Sequence, residues 1–253
     1  MIKQENITIE GLKKSISKLN YKWFDDQLNL IAIRTQEQIP DVFNDYLCLV
    51  WKQPLLSDDL TPTEAQQFLN KYLFTDDAGN KLKEDGDLGK KSQEAFAKYE
   101  KFAGKERLFI TTITTEPGVY YQKKLLNKDG CWVMMPAQML NAYKSGFHQS
   151  KQDHRALRSV GKIFGLREDD KDGIALNDKN AVASWVDGHL IGANLHGALK
   201  KLVTKLIGPW SAGCQVCEDW DDKEIVIDIC DIFNDVNNGL ITYTLITEND
   251  YTT

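Results

Sequence analysis

The apolar residues of this chain come in short β-branched and aromatic runs, at 28–33, 46–51, 108–113, 119–122, 131–135, 159–164 and 240–246, punctuated by turn-forming pairs such as Ile39-Pro40, Asn44-Asp45 and Asn238-Gly239. Runs of that length cannot bury themselves. They must pair as strands over a shared core. Helical spacing is found in an N-terminal segment (Ile9, Leu12, Ile16, Leu19) and in a late one (Ile225, Ile229, Ile232, Phe233, Val236). The stretch 167–173, Arg-Glu-Asp-Asp-Lys-Asp-Gly, is too polar for either and predicts a solvent loop. The expected fold class is α+β: a β-rich domain carrying a small α-helical insertion.

The insertion is predicted at 61–104. Thr61-Pro62-Thr63-Glu64 combines a threonine cap, an early proline and an early acid, and helix formers follow to Tyr72. A polar turn leads to Asp85-Gly86-Asp87-Leu88-Gly89, after which Ala95, Phe96, Tyr99 and Phe102 recur at the spacing of one helix face. Residues 1–60 and 105–253 are then the two parts of the main domain. The aspartates here lack the D-x-[DN]-x-[DN]-G spacing of a calcium loop.

Hydrophobic content of 42% and net charge of −6 describe an ordinary globular chain and argue against nucleic acid, whose binding needs clustered Lys and Arg. No apolar run approaches the ~20 residues that span a bilayer. The start Met1-Ile2-Lys3-Gln4-Glu5-Asn6 has no signal-peptide pattern. Five cysteines, an odd and scattered set, do not suggest a disulfide framework. The expectation is a chain made in the cytoplasm.

Chemistry concentrates in Asn194-Leu195-His196-Gly197 and Trp210-Ser211-Ala212-Gly213-Cys214, with seventeen residues between His196 and Cys214. A thiol of ordinary pKa, about 8.5, is mostly protonated at neutral pH, so a cysteine nucleophile needs a nearby imidazole, which is expected to lower that value. His196 fits that role. Small residues before Cys214 permit a sharp turn, in which the amides of Gly213 and Cys214 would face a developing oxyanion, with Ser211 shaping the turn. Cys48, Cys131 and Cys230 read as buried hydrophobes. Cys214-x-x-Cys217 also has redox or zinc spacing, but no second such pair accompanies it, so neither metal nor cofactor is predicted. His148, His154, Trp210 and Gly197 are further cleft candidates, and for Trp210 core packing is an equal alternative.

The His-Gly pair followed by Ser-x-Gly-Cys resembles the signature of the L,D-transpeptidases of the YkuD type. Thr114-Thr115-Glu116-Pro117-Gly118 echoes a second turn of that family, placed before a strand. Ala212 stands where the family has a histidine, and Gln215-Val216 where it has an apolar residue and Arg or Asn. The segment 61–104 resembles a small peptidoglycan-binding module, with Asp85, Gly86, Asp87 and Gly89 as its turn. These resemblances imply a cysteine peptidase or transpeptidase acting on peptidoglycan stem peptides, with hydrolysis favoured, of a phage endolysin or a delivered effector type. It would reach the cell wall by release or delivery, with any delivery or immunity partner unidentified. The alternative is a non-enzymatic wall-binding or phage structural protein.

Overall fold

The computed structural model describes residues 2–37, 39, 41–148 and 154–252; Pro40 of the predicted turn lies outside them. The chain divides into two compact units, one formed by Met1–Val50 and Leu108–Thr253, the other by Trp51–Arg107. The secondary structure is mixed α and β.

In the first unit, α1 (Ile9–Lys18) starts at Thr8, whose side chain accepts from the Gly11 amide. Strands β1 (Asn29–Arg34) and β2 (Asp45–Lys52) form an antiparallel pair, and β1 also runs parallel to β11 (Ile241–Thr247). All of β1 is buried because both faces are covered. Ile31 and Ile33 pack with Leu12 and Ile16 of α1, while Leu30 and Ala32 point the other way.

An eight-stranded closed barrel continues through β5 (Ala137–Phe147), β6 (Arg155–Ser159), β9 (Leu195–Gly197), β10 (Gln215–Cys217) and β3 (Glu106–Thr114) back to β2. A smaller sheet joins β4 (Cys131–Met134), β7 (Lys162–Glu168) and β8 (Ser184–Asp187). Helix α6 (Trp220–Ile232) begins at the Asp219 cap and packs against β5, β6, β9 and β10.

Two predicted elements differ, and one long strand had no counterpart in the sequence pattern. Residues 119–122, expected as a strand, form the short helix α4 (Val119–Lys123). Asp41 accepts from the Val119 amide at its first turn, so tertiary capping overrides the β-propensity of Val-Tyr-Tyr. The run 159–164 holds a turn between β6 and β7, where the Val160 and Gly161 amides both donate to the Ala142 carbonyl. The longest strand, β5, went unpredicted because its polar Gln138, Asn141 and Lys144 interrupt the apolar pattern.

The second unit contains α2 (Pro62–Lys71), opened by a full Thr61–Glu64 capping box, and α3 (Lys90–Glu100). Leu69, Phe74, Leu82, Ala95 and Tyr99 form its core. Its Asp-Gly turn is held from within. Buried Gln66 donates to the Asp87 carbonyl (2.8 Å) and accepts from the Gly86 amide (2.7 Å). The carboxylates of Asp85 and Asp87 accept from the amides of Asp87 and Gly89. Gly86, at φ +79°, occupies the left-handed region that favours glycine.

Candidate active site

The parallel β9–β10 ladder sets His196 opposite Val216, two residues beyond Cys214. Thiol and imidazole therefore lie at neighbouring strand ends, and both line a cavity of about 800 Å³. His148 and His154 enter the same cavity from the β5–β6 hairpin, where the His148 amide donates to the His154 carbonyl. Trp132 and Trp210 add aromatic walls.

Cys214 is partly exposed, while Cys48, Cys131, Cys217 and Cys230 are buried. The turn before Cys214 is braced by Ser211, whose hydroxyl donates to the Cys214 carbonyl (2.7 Å) and accepts from the Gly213 amide (3.2 Å). That amide is thus engaged within the turn instead of facing an oxyanion, contrary to the sequence expectation. Gly213 has φ +128°, and a Cβ there would lie 2.6 Å from the Trp132 carbonyl oxygen, so both conformation and space require glycine.

The turn at 114–118 supports this loop from behind. The Gly118 amide donates to the Ser211 carbonyl (2.9 Å), and a Cβ on Gly118 would meet the Gly208 carbonyl oxygen at 2.3 Å. Asp41 accepts from both Val119 and Gly208. The 114–118 turn precedes a helix here, where the resemblance implied a strand.

His196 is buried, and its Nδ1 lies 2.8 Å from the Gly197 carbonyl oxygen. A carbonyl only accepts, so Nδ1 carries the proton and Nε2 is left as an acceptor. Among the described residues Nε2 has no hydrogen-bond partner. The thiol donates instead to the Gly192 carbonyl at 3.5 Å. His148 stacks on His196 with ring centroids 4.1 Å apart and planes 32° from parallel, while His154 meets His196 edge-on at 5.3 Å. Stacked faces do not converge their nitrogens, and among the described residues no group of three or more His, Cys, Asp or Glu is arranged to hold a metal ion.

Burial, then the neighbouring His148, His154 and Lys223, push His196 down to about 3. Lys223 is itself buried, its ammonium 3.8 Å from the Trp220 ring centroid and paired with Glu224. Burial pushes the Cys214 thiol up to about 11, opposed by a backbone hydrogen bond from Asn194. The expected lowering of the thiol pKa by His196 is therefore not the resting condition. Both groups rest neutral, because a charge on either would be desolvated.

The structure brings together the sequence candidates Cys214, His196, His148 and Trp210, and places Gly197 against Trp220 and Lys223, where a Cβ would lie 3.0 Å from the indole. His154, also expected at the cleft, and Cys131 join them. The second had read as a core residue and does bury its sulfur, which donates to the Tyr121 carbonyl, yet it also lines the cavity. His189, in the short helix α5 (Gly188–Ile191), is exposed. Among the described residues, no helix is long and apolar enough to cross a membrane. Comparison with known protein families, curated proteins and solved structures returned no match.

Proposed function

We propose that this protein is a cysteine acyl-transfer enzyme of the L,D-transpeptidase type, acting on the stem peptides of bacterial peptidoglycan. The observation that carries the proposal is the buried, singly protonated His196 with an unpartnered Nε2, in one cleft with the partly exposed thiol of Cys214. The Cys214 side chain turns from the Gly192 carbonyl to His196, and the thiol proton passes to Nε2 as sulfur attacks the amide carbonyl. The two neutral groups make this one concerted step, since a standing ion pair is disfavoured by burial. The Gly213 amide being engaged by Ser211, the Cys214 amide is the backbone donor assigned to the oxyanion. The imidazolium then protonates the leaving amine, and water or a second amine releases the acyl group. Hydrolysis is favoured, because Val216, fully buried, replaces the polar residue of the family pattern and cannot grip an acceptor. The enzyme would act at the wall as an endolysin or delivered effector.

A non-enzymatic wall-binding protein is the second reading, favoured by the raised thiol and lowered imidazole pKa values. Mass spectrometry of purified sacculi incubated with the protein separates the two: new stem-peptide termini support the enzyme, and unaltered muropeptides with retained sacculus binding support the binder. In the proposal the second unit holds the wall. Tethering raises local substrate concentration without altering chemistry. Removing residues 61–104 is expected to weaken sedimentation with sacculi while cleavage of a short soluble stem peptide stays within about twofold. Undiminished sedimentation would make that segment structural only.

A further inference from the structure

The cleft around Cys214 is cationic, although the chain carries a net charge of −6. Lys128, Arg158 and Arg167 line it, and among the described residues no Asp or Glu does. The arginines of this chain have distinct surroundings. Arg34 is buried beside Glu116 and bonded to Thr115. Arg107 stacks on Trp51, Phe74 and Phe102. Arg155 is paired with Glu224, Asp228 and Asp231 of α6. Arg167 donates to the Gly130 carbonyl and also borders a second groove bearing Asp129, Asp169 and Asp178.

Arg158 differs from all of these. It is exposed, and among the described residues its side chain has neither an ion pair nor a hydrogen bond. Three residues from Arg155 along β6, it points to the opposite face of the sheet, away from the acids of α6. That face also carries His154 and, across the hairpin, His148 and Gly146. Directly opposite Arg158 in register stands another cation, Lys144. Like charges so placed repel. The arginine stem crosses the strand diagonally instead: a Cβ on Gly146 would lie 3.0 Å from its Cδ. Gly146 is two residues closer than Lys144 to His148, so the guanidinium is carried toward the histidines and the thiol.

We propose that Arg158 binds a carboxylate of the acyl donor, in the two-bond fork that guanidinium and carboxylate share, with Lys128 and Arg167 adding to the field that draws the anion in. The proposal rests on the acyl-transfer reading above and adds to it the residue of this chain that selects a donor by the carboxylate near its scissile amide.

Two measurements on the full chain test it. The first compares turnover of matched tetrapeptides ending in a carboxylate or a carboxamide by the native protein, Arg158→Gln and Arg158→Lys. A charge-assisted pair corresponds to a preference of about tenfold for the carboxylate in kcat/KM. It is expected to collapse in Arg158→Gln, chiefly through KM, and to persist in part in Arg158→Lys. The second needs no catalysis: the ratio of Cys214 alkylation rates by iodoacetate and iodoacetamide. It is expected to exceed that of a free thiol and to fall in Arg158→Gln and with added salt. If no peptide is turned over, the acyl-transfer reading fails and the alkylation ratio alone decides the anion site. An alkylation ratio unmoved by Arg158→Gln, or peptide turnover with the same carboxylate preference in both proteins, overturns the proposal.

Discussion

Cys214→Ala is expected to reduce the release of stem-peptide fragments from sacculi by at least about a thousandfold, the scale on which loss of a nucleophile removes covalent catalysis. The fold should survive. The sulfur packs at the edge of a cluster formed by Phe43, Ala198, Ile207 and Val216, with Trp210 beside it, and remains partly exposed, so its loss costs about 1 kcal/mol. Fragment quantification by mass spectrometry, with thermal melting as control, reads both effects. Activity within tenfold of the native level would remove Cys214 from the chemistry.

Acidification is expected to destabilise the protein through His196. Its folded value, about 3, lies well below the ordinary histidine value of 6.5. Between these limits the unfolded chain binds a proton that the folded one does not, so this contribution is fully present above pH 6.5 and is lost progressively toward pH 3. The slope approaches about 1.4 kcal/mol per pH unit. Buried Asp45 and half-buried Glu116, raised by desolvation, act in the opposite sense, so the informative quantity is the difference between the native protein and His196→Gln. Urea unfolding from pH 7 to 4 should show a steeper fall in the native protein. Its turnover at pH 7 should exceed that of the variant by roughly a hundredfold or more, the share of a general base. Equal pH slopes would mean that the imidazole is not held neutral by burial.

Much of this was legible in the sequence for specific physical reasons. Thr61-Pro62-Thr63-Glu64 is a local signal and gave the capping box observed. The spacing of Leu12 and Ile16 gave α1, and the apolar runs of β1, β2 and β11 gave strands buried on both faces. What failed was decided by distant residues. Val119–Lys123 is a helix because Asp41, far along the chain, caps it. The half-polar β5 is a strand because β6 and β11 flank it. At the site, His196 and Cys214 stood out as residue types in a pattern. His148 and His154 read as cleft candidates without an assigned role, because only the β5–β6 pairing brings them together, and only β9 brings both to His196. The electrostatics were hidden for the same reason: burial sets the thiol value, burial with the neighbouring His148, His154 and Lys223 sets the imidazole value, and neither is encoded in the local sequence.

The central claim is that the Cys214 sulfur becomes covalently acylated by a wall stem peptide. Rapid acid quenching of the protein mixed with a synthetic tetrapeptide stem, followed by intact-mass measurement and peptide mapping, tests it most directly. The predicted result is a transient mass increase equal to the acyl portion of the peptide, localised to Cys214, absent in Cys214→Ala and slowed in His196→Gln. Turnover of the peptide with no adduct on Cys214, even when quenched before the first turnover is complete, together with undiminished turnover by Cys214→Ala, would contradict it.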